Sequence, residues 1–196
     1  MMRLEAVIFD LDGVIVDTAK YHYDAWRRLA EELGFVFSRK DNERLKGVSR
    51  LQSLEILLEI GGIEATQAQK SQWTEKKNCW YLEYINDLTP NEILPGVLPL
   101  LQGFRAQRMK TALASGSKNA RLIVEKLSIS HYFDVIIDGS QVSKTKPAPE
   151  IFLLAAQKLN IHPSKCLVFE DAAAGVEAGK SAGMKVVGVG KQDILF

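Results

Sequence analysis

The sequence predicts an α/β fold: a parallel sheet flanked by helices, with an inserted α-helical cap. Two observations carry this expectation. Short apolar runs alternate with amphipathic helical patterns, as chains of βαβ units do. Between Val16 and Leu88 the strand-like runs vanish and helical spacing takes over.

The elements follow in order. Leu4–Phe9 (LEAVIF) is too short and too apolar for a surface helix and reads as the first strand. His22, Trp26, Leu29 and Leu33 then fall on one helical face, Leu54, Leu57 and Leu58 continue the theme, and 63–88 is a long, polar, tryptophan-bearing stretch. Pro90 and Pro95-Gly96 mark the return to strands. Thr111–Ala114, Val135–Ile137, Cys166–Phe169 and Val186–Val189 are the remaining apolar runs, the last followed by KQDILF. Their continuity, without alternation, predicts a sheet covered on both faces. The expected architecture is a Rossmann-like core over 1–15 and 89–196 with a helical cap over 16–88.

Composition narrows the function classes. The chain has 196 residues, 46% hydrophobic and 25% charged, which excludes disorder and coiled coil as whole-chain descriptions. Lys+Arg number 25 against 24 Asp+Glu, so no global field draws in nucleic acid or an anionic membrane. No apolar run approaches the ~20 residues that span a bilayer. Two cysteines cannot build a disulfide framework, and a reducing cytoplasm is the expected compartment. The expected partner is a small molecule, and the expected state a monomer.

Chemistry gathers at the strand ends. The first strand runs into Asp10-Leu11-Asp12-Gly13, two carboxylates at i, i+2 where open α/β sheets bind ligands. The fourth run ends in Glu170-Asp171, which either caps the next helix or joins the first pair around a cation. Hard oxygen donors of this kind suit Mg²⁺. The second run ends Ser115-Gly116-Ser117-Lys118-Asn119, where hydroxyls and free N–H groups before a helix make either a phosphate site or an ordinary cap. Lys146, fixed in extended backbone by Pro147, can set an ammonium among these groups. Together they describe Mg²⁺-dependent phosphoryl transfer through an aspartyl nucleophile.

FDLDG, ALASGS, Lys146 in SKTKPAP and VFEDAAAG resemble the four motifs of the haloacid dehalogenase superfamily, along essentially the whole chain. DGVIVDTAKYHYDAW, LKGVSR, EKKN, LPGV and SGSKN resemble its mutase branch, which interconverts β-glucose 1-phosphate and glucose 6-phosphate through the 1,6-bisphosphate. That resemblance implies Asp10 as nucleophile and Asp12 as general acid/base. It implies a Mg²⁺ held by Asp10, the Asp12 backbone carbonyl, Glu170 and Asp171. Ser115, with Gly116 in its loop, and Lys146 would bind the phosphoryl group in transit. Arg50, Ser117, Lys118 and Asn119 would hold the second phosphate. His22, Lys77 and the loop Lys46, Gly47, Val48, Ser49 would face the sugar, and Thr18 would belong to the hinge. Trp26 shares the His22 face and divides between cap packing and the substrate side. Ala172 stands where many relatives carry Ser.

Other residues read as structural. Trp73 and Trp80, seven apart, are expected in the cap core, Cys79 and Cys166 in packing, and His131 and His162 at the surface. Two alternatives stand beside this reading: a sugar-phosphate phosphatase with the same core, and a catalytically silent phosphosugar-binding or regulatory protein, against which the intact Asp10, Asp12, Lys146 and acidic pair speak.

Overall fold

The computed structural model describes residues 3–45 and 48–190. The chain forms two compact units, Met1–Asp17 with Leu88–Phe196, and Thr18–Asp87.

In the first unit, strands β1 (Ala6–Phe9), β2 (Lys110–Ala114), β3 (Val135–Ile137), β4 (Cys166–Glu170) and β5 (Lys185–Gly188) form one parallel sheet in the order β3-β2-β1-β4-β5. β1 is central and fully buried. Period-two alternation sends Ala6 and Ile8 to one face and Val7 and Phe9 to the other. On the first face Ala112, Ala114, Cys166 and Val168 join them, packed with Ile151, Phe152, Ala155, Ala156 and Leu159 of α7 (Glu150–Leu159) and Ala178 of α8 (Ala173–Ser181). On the other face Phe9 stacks on Phe169 at 5.1 Å between ring centroids and meets Phe133 at 6.3 Å and Phe104 at 6.1 Å. Phe104 comes from α5 (Val97–Ala106), and α6 (Ala120–Lys126) follows β2.

The expectation of a sheet covered on both faces holds for β1 but not for β4 and β5. Leu167 and Phe169 are only partly buried and Val187 is exposed, among the described residues. β5 is an edge strand of the order above.

The segment after β1 turns back on itself. Ile15 and Val16 N–H groups donate to the Leu11 carbonyl at 2.8 and 3.2 Å, and Val16 bridges antiparallel to Ile93. The Leu94 N–H donates to Ile15 at 2.9 Å. The outgoing and returning chains are thus tied side by side within the first unit.

The second unit contains α1 (Ala19–Glu32), α2 (Arg39–Asn42), α3 (Arg50–Gly61) and α4 (Gln67–Ile85). α2, α3 and α4 start on reciprocal capping boxes, Ser38 with Asp41, Ser49 with Gln52 and Thr66 with Gln69. Gly62, left-handed at φ 63°, stops α3. The core joins Tyr23, Trp26 and Leu29 of α1, Leu54, Leu57 and Leu58 of α3, and Trp80, Tyr81 and Ile85 of α4.

Two expectations need correction here. Trp80 is buried, but Trp73, on the same face, is only partly so; a ring this large is seldom wholly covered. Cys79 is exposed, whereas Cys166 is buried. At about 100° per residue, Cys79 lies opposite the Lys77, Tyr81 and Ile85 face of α4. His131 and His162 are exposed, as expected.

Phe152 is wholly buried at the contact of α7 with the sheet. Phe152→Ala is expected to lower unfolding stability by about 3–5 kcal/mol, measured by urea titration.

Candidate active site

β1 and β4 are neighbours in register, Phe9 opposite Phe169, and the Asp10 N–H donates to the Phe169 carbonyl at 3.0 Å. The chain runs from β1 outward to β2 and β3, then returns to β4 on β1's other side. At such a switch point the carboxyl ends of the strands open a crevice for ligands. Asp10 and Glu170 emerge there from adjacent strands.

Asp10, Glu170 and Asp171 each bring a carboxylate oxygen within 4.8 Å of the others. Asp10 and Glu170 are 7% and 1% exposed. Lys146, between β3 and α7, donates to Asp10 Oδ1 at 2.6 Å and to Glu170 Oε2 at 2.7 Å, and reaches the Ala114 carbonyl at 3.5 Å. Its Nζ lies 4.9 Å from the Phe152 ring centroid. The last strand residue of β2 and the ends of β1 and β4 therefore share one ammonium. Glu170 Oε1 accepts the Asp171 and Ala172 N–H groups at 3.2 and 3.1 Å. Glu170 thus satisfies the turn before α8 and joins the acidic group, whereas α8 itself has no side-chain cap hydrogen bond, so the helix-cap reading of Glu170 is corrected.

Electrostatics follow from burial. Loss of water raises Asp10 to about 6; Lys146 opposes the rise and the Glu170 charge adds to it. Burial likewise raises Asp171 to about 6, with the Asp10 and Asp12 charges adding. For Lys146, burial favours the neutral amine, but the Asp10 and Glu170 carboxylates overrule it and hold the group above its ordinary range. With all groups ionised, three carboxylates and one ammonium leave a charge of about −2. This all-oxygen, doubly negative set fits a hard divalent cation. Asp12 is not among the three side chains of this group; the resemblance assigned it a backbone carbonyl. It is partly buried in the turn closed by the Gly13 N–H donating to the Val16 carbonyl at 2.9 Å. Gly13 has φ 77°, and a Cβ there would stand 2.0 Å from Asp171 Oδ2. The turn after β1 is pressed directly onto the acidic pair.

The loop after β2 is self-supporting. Ser115 is buried, its N–H donating to the Ile137 carbonyl at 3.0 Å. Its Oγ accepts the Ser117 N–H at 3.1 Å, and Ser117 Oγ accepts the Asn119 N–H at 3.2 Å. This corrects the expectation of free N–H groups: those of Ser117 and Asn119 are satisfied by hydroxyls of the same loop. Gly116 and Lys118 are exposed, and Ser117 and Asn119 partly buried. Gly139 donates to the Ser117 carbonyl at 3.2 Å, so the loops after β2 and β3 meet backbone to backbone.

Within the helical unit, Lys77 Nζ donates to His22 Nδ1 at 2.8 Å. His22 therefore accepts at Nδ1 and carries its proton on Nε2. Burial, then the Lys77 and Arg50 charges, hold its pKa well below the imidazole range. Lys77 is 2% exposed, its ammonium 4.7 Å from the Trp26 ring and 4.8 Å from that of Tyr81. Tyr81 also stacks on His22 at 4.1 Å. Tyr81 is absent from the sequence-derived site, although its i+4 spacing from Lys77 was the available signal. Trp26 is buried in this cluster, as its cap-packing reading expects. Thr18 is buried at the start of α1; Ser49 caps α3, Arg50 is its partly exposed first residue, and Val48 is exposed. Lys46 and Gly47 lie outside the described residues.

A family model for haloacid dehalogenase-like hydrolases matches residues 4–183. The chain belongs to that family. It is 48% identical over 190 residues to a β-phosphoglucomutase of Bacillus subtilis, covering 96% of this chain and 84% of that one. It is 37% identical over 185 residues to a phosphorylated carbohydrates phosphatase of Thermotoga maritima, covering 93% and 83%. A crystal structure of β-phosphoglucomutase from Clostridium difficile superposes with a TM-score of 0.93 at 46% identity, over 98% of this chain and 87% of that one.

Metal ligands must be deprotonated to bind, so protons compete with a cation here. With Asp10 and Asp171 both near 6, both are ionised at pH 7.5 and become protonated as pH falls through 6. Calorimetric Mg²⁺ titrations are expected to show affinity falling by at least roughly tenfold between pH 7.5 and 5.5.

Proposed function

We propose that this chain is a mutase that interconverts β-D-glucose 1-phosphate and glucose 6-phosphate, using Mg²⁺ and an aspartyl phosphate at Asp10. The observation that carries this reading is the 48% identity to the Bacillus subtilis β-phosphoglucomutase, in a chain whose Asp10, Lys146, Glu170 and Asp171 converge at the strand ends. The substrate class is a small phosphosugar. Among the described residues no helix is long and apolar enough to cross a membrane. A cytoplasmic, monomeric enzyme is part of the same proposal.

Asp10, Glu170, Asp171 and the Asp12 carbonyl are the proposed Mg²⁺ ligands. Bound there, the ion supplies positive charge to the phosphoryl oxygens and keeps the carboxylates ionised. Lys146 adds an ammonium on the Asp10 side, and Ser115 a hydroxyl at the end of β2; both serve the phosphoryl group in transit.

In the first transfer the 6-hydroxyl oxygen of β-glucose 1-phosphate attacks the phosphorus of phospho-Asp10. The bond to the Asp10 oxygen breaks, and the hydroxyl proton passes to Asp12. The 1,6-bisphosphate then reverses its orientation. Asp10 attacks the 1-phosphate, the bond to the sugar O1 breaks, and Asp12 returns the proton to O1. Glucose 6-phosphate leaves and phospho-Asp10 is restored. Asp12 serves as base and then acid.

A mutase must withhold phospho-Asp10 from water, so binding energy from a second, non-reacting phosphate has to enforce the productive state. Arg50 suits that task because its planar fork binds phosphate bidentately. Ser117, Lys118 and Asn119 complete that site in the proposal. His22 and Lys77, with Trp26 and the loop 46–49, serve the sugar, and Thr18 the hinge. A sugar-phosphate phosphatase is the second reading, favoured by the Thermotoga maritima relative.

Phosphorus NMR of β-glucose 1-phosphate with Mg²⁺ and a trace of the 1,6-bisphosphate separates the two readings. Glucose 6-phosphate is expected; inorganic phosphate without it would establish the phosphatase. Asp10→Asn is expected to abolish turnover with the fold retained by circular dichroism. Arg50→Ala is expected to lower mutase kcat/KM by roughly 10- to 100-fold, the value of charge-assisted hydrogen bonds, while hydrolysis of phospho-Asp10 survives.

A further inference from the structure

Gly175 stands in the first turn of α8, buried, at a position where alanine is the better helix former. Its φ is not left-handed, since it is absent from the positive-φ glycines of the chain, so its backbone does not require glycine. What excludes a side chain is the acidic group. A Cβ at Gly175 would stand 2.0 Å from Glu170 Cδ, 2.1 Å from Oε2 and 2.5 Å from Cγ. Real Cβ atoms do not approach so closely, so something must shift.

Glu170 has nowhere to shift without loss. It is 1% exposed; its Oε1 accepts two backbone N–H groups and its Oε2 accepts the Lys146 ammonium. A methyl at Gly175 either drives the carboxylate off these donors or lifts the start of α8 away from β4. Lys146 holds Asp10 as well, so the disturbance passes to Asp10. We propose that Gly175 is a positioning residue: its bare Cα is the seat of the Glu170 carboxylate, and through Glu170 it sets Lys146 and the divalent-ion site. The metal part of this inference rests on the function proposed above; the contact itself does not.

Gly179, one turn further along α8, is the internal control. A Cβ there meets Val186 Cγ2 at 2.7 Å, a side-chain end remote from any carboxylate of the acidic group. Gly175→Ala and Gly179→Ala are compared with the parent protein by melting temperature without metal and by calorimetric Mg²⁺ titration. Gly175→Ala is expected to weaken Mg²⁺ by roughly 10- to 100-fold, the usual effect of disturbing a ligand's support, whereas Gly179→Ala leaves Mg²⁺ affinity unchanged.

A second pair of variants isolates the contact. Gly175→Ala is expected to lower the melting temperature in the parent protein but not in a Glu170→Ala background, where the overlapping atoms are gone. If Gly175→Ala alone fails to fold, a folded Gly175→Ala/Glu170→Ala protein gives the same answer. An equal loss of melting temperature in both backgrounds, an unfolded double variant, or a folded Gly175→Ala protein that binds Mg²⁺ like the parent overturns the proposal. Absence of Mg²⁺ binding by the parent protein itself would remove the metal assignment, and the melting comparison would still decide the Gly175–Glu170 contact.

Discussion

Three carboxylates sit together where two adjacent strands end, and water is largely excluded from two of them. Isolated, such charges would neutralise by taking up protons. The Lys146 ammonium bridges Asp10 and Glu170, and two backbone N–H groups serve the remaining Glu170 oxygen. Much of the surrounding structure is legible as a means of holding this arrangement. The parallel register brings Asp10 and Glu170 to the same edge. Gly13 lets the turn after β1 lie against Asp171, and Phe152 of α7 lies beneath the Lys146 ammonium. The excess negative charge is the physical reason for a divalent cation, and a cation with an ammonium is what a transferring phosphoryl group requires.

The two units differ in the chemistry they carry. The sheet unit holds oxygen donors at strand ends, fixed by ladder hydrogen bonds. The helical unit holds a buried lysine against a neutral histidine and two aromatic rings. The relatives include both a mutase and a phosphatase.

The sheet was legible because each strand is a short apolar run bounded by turn residues, and Asp10, Glu170, Asp171 and Lys146 because they stand at the end of a run or before a proline; Arg50 and Lys77 carry no such local signal. Other features depend on neighbours distant in sequence. Tyr81 completes the His22 and Lys77 cluster only because α1 and α4 pack together. Ser117 and Asn119 N–H groups are satisfied by loop hydroxyls, which residue types alone do not reveal. The alternation of β4 between buried and partly buried positions reflects what covers each face, not its own apolar sequence. Gly175 reads as an ordinary helix residue until the Glu170 side chain is placed beside it.

The most direct measurement is the location of the covalent phosphate. Enzyme mixed with Mg²⁺ and β-glucose 1,6-bisphosphate, quenched in acid within milliseconds and digested, is analysed by mass spectrometry for an acid-stable, hydroxylamine-labile phosphoryl group. The expected result is phosphorylation at Asp10 alone, absent when Mg²⁺ is chelated. Phosphate on another residue, or turnover to glucose 6-phosphate with Asp10 never modified, would contradict Asp10 as the nucleophile that the strand-end charges exist to serve.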